Sequence, residues 1–212
     1  MRLGSEIEVL AMRAVVDAPR VDDSAFEAAT LAGIDLHLGR LQATWHPRDW
    51  GGMVVKGVWE PLADGGLDLT VHLQADSVDE LQAVEIEVGS RLRRASTSAS
   101  GPAPESIGRA ATSADATVLP GFEPHPSTAW IHEEASGRCY VELCGGHDLS
   151  RSSLREEADG ELLEHALFGH ALEKGVVLRA RLRGYWFETR PTHEQVIDLL
   201  SRFRAEPLPI GI

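Results

Sequence analysis

No apolar run in the 212 residues approaches the ~20 that a bilayer-spanning helix requires; the longest, Gly52–Val55 and Gly175–Leu178, fall far short. Met1–Glu6 (M-R-L-G-S-E) carries no signal-peptide core, so a cytoplasmic home is expected. Basic residues are scarce: 20 Lys and Arg face 33 Asp and Glu, for a formal charge of -13, which argues against nucleic acid and anionic membrane as partners. Lysine is nearly absent, with Lys56 and Lys174 alone. The resulting arginine bias is what a GC-rich genome produces as readily as a need for bidentate anion contacts. The two cysteines, Cys139 and Cys144, match neither a C-x-x-C redox motif nor a zinc knuckle, and the reading is two buried free thiols on opposite faces of a strand.

Signature motifs are missing too. There is no nucleophile elbow G-x-S-x-G, and neither G-x-x-x-x-G-K-[ST] nor G-x-G-x-x-G occurs in the right context, so Gly145-Gly146 is not read as a phosphate loop. No H-E-x-x-H spacing exists among His125, His132, His165 and His170, although Glu133, Glu134, Glu161 and Glu164 lie nearby, and neither a metal nor another cofactor is expected. What is present is an ordinary globular composition, 43% hydrophobic and 25% charged. A chain of this size buries about 70% of its unfolded surface without disulfide or metal staples.

One stretch breaks the composition. Ala95–Thr117 holds small polar residues, two prolines and Ile107 as its single large apolar side chain, too little to order itself. It is either a flexible loop inside one domain spanning 1–212 or a linker between subdomains 1–94 and 118–212; the loop is the preferred reading. No internal repeat is evident.

Alternation dominates elsewhere. Leu67, Leu69, Val71, Leu73 and Ala75 share one face of a strand, with Asp68, Thr70, His72 and Gln74 on the other. Val84, Ile86, Val88 and Leu92 repeat the pattern after a connection whose Ser77 and Glu80 have capping-box spacing. With Met53, Val55 and Trp59 ahead of the Ala63-Asp64-Gly65-Gly66 turn, these runs read as an antiparallel meander. Glu6–Val16 and Ile34–Trp45 read as further strands, the second with a bulge at Gly39. Trp130–Glu134 and Arg138–Leu143 read as a hairpin.

Glu161–Leu172 fits a helix or a strand. If Leu172-Glu173-Lys174-Gly175 is a type I turn closed by a left-handed glycine, the arms fold together with Leu162, Ala166, Phe168 and Leu172 on one face with Val176, Leu178, Ala180, Leu182 and Trp186. His165 then falls with Arg179, Arg181 and Arg183 on the other face. That agreement favours the hairpin. A helix is expected from Thr192, with Gln195 completing a capping box and Val196, Leu199, Leu200 and Phe203 as its stripe. The fold class expected is therefore mainly β, an antiparallel β-sandwich with one C-terminal α-helix.

Two stretches carry a family resemblance: Asp64-Gly65-Gly66-Leu67-Asp68-Leu69 through Val78-Asp79-Glu80-Leu81 to Ser90-Arg91-Leu92, and Leu172 to Arg181. Together they resemble uncharacterised bacterial proteins of planctomycete type, distantly related to the galactose-mutarotase-like β-supersandwich. The resemblance covers about a quarter of the chain and implies a β-sandwich. Mutarotases of that family open the sugar ring with a histidine acid and a carboxylate base, and no motif here places either residue.

Candidate chemistry lies in three places. Trp45, His46, Arg48, Asp49 and Trp50 gather two indoles, an acid, a base and a guanidinium between strands, a set suited to stacking on a small sugar and taking its hydroxyls; the structural alternative is a pair of core anchors. His72, with Asp68 on the same strand face, and His147 with Asp148 are the candidates for acid–base work. Arg179, Arg181 and Arg183 form a period-two row that is either an anion strip, a solvated face that pairs with Glu85 and Glu87, or the guard of a sheet edge. The function expected is a carbohydrate-related binding module without a catalytic centre, with an aldose epimerase-like sugar enzyme and a protein-interaction domain as alternatives. The oligomeric state has no signal in the sequence.

Overall fold

The alternating runs become strands in a computed structural model that describes residues 2–3, 7–16, 26–27, 29–48, 50–75, 83–93, 128–133, 137–145, 149–157 and 160–208. The strands are β1 (Arg2–Leu3), β2 (Ile7–Val16), β3 (Leu31–His37), β4 (Arg40–Trp45), β5 (Met53–Pro61), β6 (Leu67–Ala75), β7 (Ala83–Arg93), β8 (Thr128–Glu133), β9 (Cys139–Cys144), β10 (Leu149–Glu157), β11 (Gly160–Ala171) and β12 (Val177–Phe187). They form two antiparallel sheets, a five-stranded one in the order β1-β2-β7-β11-β10 and a seven-stranded one in the order β3-β4-β5-β6-β12-β9-β8. One described helix, α1 (His193–Ala205), follows. This is the expected sandwich. Its main core lies between the sheets and includes Val55, Leu69, Val71, Leu73, Ile86, Val88, Leu167 and Leu182.

The helix starts as read. Thr192 accepts from the Gln195 N–H and the Gln195 side chain reaches back to the Thr192 N–H at 2.7 Å, which satisfies two of the free donors of the first turn. Val196, Leu199 and Phe203 lie against Ala129, Val141, Leu143 and Tyr185 on the outer face of the seven-stranded sheet, a second and smaller core. The β8–β9 and β5–β6 hairpins also form as expected.

Several expectations about strand neighbours, phase and turns do not hold. Strands β6 and β7 are not adjacent: they belong to different sheets, and the connecting residues 76–82, with Ser77 and Glu80, lie outside the described residues. Segment 161–172 is strand rather than helix, yet β11 and β12 do not zip together; β11 pairs with β7 and β10, β12 with β6 and β9. The turn between them lies one residue further on than expected: the Val176 N–H donates to Glu173 O at 3.1 Å, which makes Glu173–Val176 the turn, and Gly175, at its third position with φ +79°, has the positive φ of a type II turn; it carries the chain from one sheet to the other. The phase of β11 is also reversed. His165 stands opposite Val88 and faces the core, because Leu162, Leu163, Ala166 and Leu167 are all buried and a strand buried on both sides has no pattern to set its phase. Gly39, finally, is no bulge: Leu38 (φ 50°) and Gly39 (φ 79°) are the two central residues of a tight turn between β3 and β4.

Two of the three arginines of the row, Arg181 and Arg183, meet neither solvent nor an edge. Strand β12 is internal to its sheet, and Arg181 and Arg183 are 6% and 4% exposed. Arg181 donates to the carbonyl oxygens of Phe203 and, at 3.2 Å, Glu206, which occupies the carbonyls that the end of α1 leaves free and sets a cation at the negative end of the helix dipole. Arg183 grips Asp68 with two nitrogens, the outer one at 2.8 Å, and reaches Glu206 at 2.6 Å. Glu85 and Glu87 are on the other sheet, where both pair with Arg151 at 2.7 Å.

Candidate functional site

The alternation of β9 turns Tyr140, Glu142 and Cys144 inward, so a carboxylate enters the space between the sheets. Glu142 and His165 are each 0% exposed, and burial of a charged or polar group is tolerated only with partners. Glu142 Oε2 accepts from the Ser90 hydroxyl and, at 2.7 Å, from the Tyr140 hydroxyl. His165 Nε2 lies 3.0 Å from Glu142 Oε1, in contact though off the line of an ideal hydrogen bond, and its Nδ1 meets the Ser152 hydroxyl at 2.7 Å. Ser90 Oγ in turn accepts from the Leu10 N–H at 3.0 Å. Leu10, with φ 50°, sits at a bulge in β2, and its carbonyl, turned off the ladder, accepts from the Trp59 indole at 3.1 Å.

Burial, followed by the Glu142 charge, pushes the Tyr140 hydroxyl and the Cys144 thiol well above their ordinary values. Both stay protonated at neutral pH. Tyr140 is therefore a fixed donor, and Cys144 lacks the thiolate a nucleophile or metal ligand needs. Cys139 and Cys144 are both free and buried, as expected.

The same inner faces open on a small pocket. Trp130 and His132 of β8, Tyr140 of β9 and Glu161 and Leu163 of β11 help line a cavity of about 20 Å³, room for one or two waters. His132 Nδ1 and Glu161 Oε2 are 2.5 Å apart across the two sheets. His132 Nε2 and Trp130 Nε1 are buried with no hydrogen-bond partner. Two unmatched nitrogens thus belong to residues that line one cavity.

The residues read from the sequence do not converge there. Trp50 is 1% exposed, and Trp45, half-buried, packs edge-on against Phe26 at 5.3 Å and Trp59 at 6.3 Å, so the two indoles are anchors of the main core. His46 and Arg48 are exposed beside them, and Asp49 lies outside the described residues. His147 and Asp148, and likewise His125 and Glu134, are also outside them. Glu133 pairs with Arg190 at 3.2 Å and Glu164 with Arg155 at 2.7 Å. Among the described residues no three His, Cys, Asp or Glu side chains gather as metal ligands.

His72 is on the outer face of the seven-stranded sheet, without Asp68, which Arg183 holds. Its neighbours in register are Lys56 and Arg179. Burial, then the charges of Arg179, Lys56 and Arg40, lower its pKa to about 4 from 6.5. The imidazole is neutral at physiological pH. Since the unfolded chain takes up this proton near 6.5 and the folded one near 4, the stability it contributes is complete above about 6.5 and is lost as the pH falls towards 4. The loss is roughly 3 kcal/mol from a shift of about 2.5 units. Urea titrations across that range should show it, and His72→Gln should flatten it.

Sequence reading missed Glu142, Tyr140, Ser90 and Ser152. A signal existed: in C-Y-V-E-L-C, Glu142 shares a face with Tyr140 and Cys144, a charge at a position that otherwise reads as core.

No described helix is long and apolar enough to cross a membrane. No family model and no curated protein matches the chain. Among solved structures, the chain is similar in fold to a putative kojibiose phosphorylase from the human microbiome, with a TM-score of 0.54, 9% identity, and coverage of 95% of this chain and 26% of that one. It thus spans about a quarter of that protein's length, and at such identity the likeness is one of architecture: this chain has the β-sandwich fold of part of a protein titled for a sugar phosphorylase.

Proposed function

We propose that the chain is a carbohydrate-related β-sandwich module, of the galactose-mutarotase-like kind, that binds a small sugar rather than nucleic acid or membrane. The observation that carries the reading is the pocket with two unmatched nitrogens, Trp130 Nε1 and His132 Nε2, set in a fold similar to part of a protein titled for a sugar phosphorylase. A cavity of about 20 Å³ takes one hydroxyl or hydroxymethyl group, with the ring left at the mouth. A cytoplasmic setting belongs to the proposal, since it keeps Cys139 and Cys144 reduced. The test is a two-dimensional amide and indole NMR titration with glucose, galactose and kojibiose. Saturable movement of the Trp130 indole signal, abolished in His132→Ala, is expected; an indole signal that no sugar moves at about 50 mM, well beyond weak millimolar binding, removes the proposal.

A second reading, an aldose epimerase-like activity, draws support from His132 and Glu161, a histidine and a carboxylate side by side at the pocket wall. Polarimetry of fresh α-anomers decides it. Mutarotation no faster than buffer, or unchanged in His132→Asn and Glu161→Gln, sinks this version while leaving binding intact.

A further inference from the structure

Of the three arginines on β12, two are spent on Asp68, Glu206 and the end of α1, but Arg179 is not. Along the ladder Arg179 stands opposite His72 on β6, and His72 stands opposite Lys56 on β5, so three nitrogen-bearing side chains cross three neighbouring strands on one face. Directly paired side chains in a sheet sit about 5 Å apart at Cβ, and like charges so placed are unfavourable. Among the described residues neither Lys56 nor Arg179 has an acidic partner; the nearby Arg40 is 3.9 Å from Glu60, and Asp68, four residues before His72 on the same strand face, is held by Arg183. His72, only 4% exposed, keeps its Nδ1 buried and unmatched, and the Arg179 Nε is buried and unmatched as well. In a chain with 33 acidic residues and two lysines, this gathering without a counter-charge is the opposite of what composition supplies.

We propose that Lys56, His72 and Arg179 form an oxyanion site on the outer face of the seven-stranded sheet, suited to a phosphate-class dianion, either free phosphate or the phosphate ester of a small molecule. Two fixed cations and an imidazole able to take a proton match two negative charges. A point-like ammonium, a guanidinium fork and a ring N–H offer donors to separate oxygens of a tetrahedral group. A bound dianion would reverse the sign of the field on His72: burial and the surrounding cations hold its imidazole at about 4 without ligand, and an anion against it lifts that value. The site is on the far side of the sheet from the Trp130 pocket and stands or falls apart from it.

The test is NMR titration of the His72 imidazole against pH, with and without inorganic phosphate at matched ionic strength in sodium chloride. A saturable phosphate-dependent shift and a rise of roughly one unit or more in the His72 pKa are expected. Lys56→Gln and Arg179→Gln should each weaken the apparent affinity about ten-fold, while Lys174→Gln should leave it unchanged. Glucose 1-phosphate, methyl phosphate and glucose separate the sources: tighter binding of the sugar ester than of free phosphate assigns an ester ligand, and equal binding assigns the anion alone. A His72 signal that does not respond at about 20 mM phosphate, or that responds equally to sodium chloride, overturns the proposal, and this wild-type measurement needs no variant to fold.

Discussion

Cut into residues 1–94 and 118–212, the chain is expected to give two pieces that are each unfolded alone and that regain structure when mixed. The sheets are why. Both are seamed from strands on either side of the cut, β7 to β11 in one and β6 to β12 in the other, each in an interior position. Without β11 and β12 the first piece leaves β7 and β6 with open edges and takes Leu167, Ala180 and Leu182 from the core that holds Val84, Ile86 and Val88, and without β6 the second leaves β12 with an open edge and much of that core missing. Circular dichroism and amide dispersion of the separate pieces measure this. A first piece that gave a dispersed spectrum by itself would mean two independent subdomains and an incorrect seam.

Glu142→Ala is expected to lower the unfolding free energy by about 3–5 kcal/mol, a large part of a total that is typically about 5–15 kcal/mol. The substitution strips the acceptor from two buried hydroxyls, Ser90 and Tyr140, and leaves His165 facing a void. Tyr140 matters doubly, since it also fills the space at Gly184, where an added Cβ would come within 2.8 Å of its ring. Glu142→Gln retains the shape and one acceptor oxygen, and should cost less. Urea midpoints of the two variants decide it; equal midpoints for wild type and Glu142→Ala would show that the network contributes nothing to stability.

The residues that announce themselves are those whose signal is local. Thr192 with Gln195 sets the helix start through bonds three residues apart, and Leu67 to Ala75 sets a strand by its own alternation. What a strand lies beside is another matter. An apolar face is buried equally well whether the next strand hydrogen-bonds to its edge or stacks opposite it across the core, so the patterns of β6 and β7, or of β11 and β12, cannot distinguish a hairpin from a crossover. The site was hidden for the same reason. His132, Glu161 and His165 stand out in the sequence as titratable groups, but only the stacking of one sheet on the other sets His132 against Glu161 and His165 against Glu142. Trp45 and Trp50 carried the stronger chemical signal in sequence and proved to be packing.

The bulge at Leu10 reaches further than β2. Where layers meet only through grease they can slip past one another, as nothing directional marks the starting position. Here the indole of Trp59 is fastened to the Leu10 carbonyl near one flank, and Glu142 is fastened to Ser90 nearer the other, so any slide breaks both rivets at once. Lateral shear of the two layers therefore costs directional bonds on top of apolar packing, whereas splaying at the rims leaves both fastenings in place.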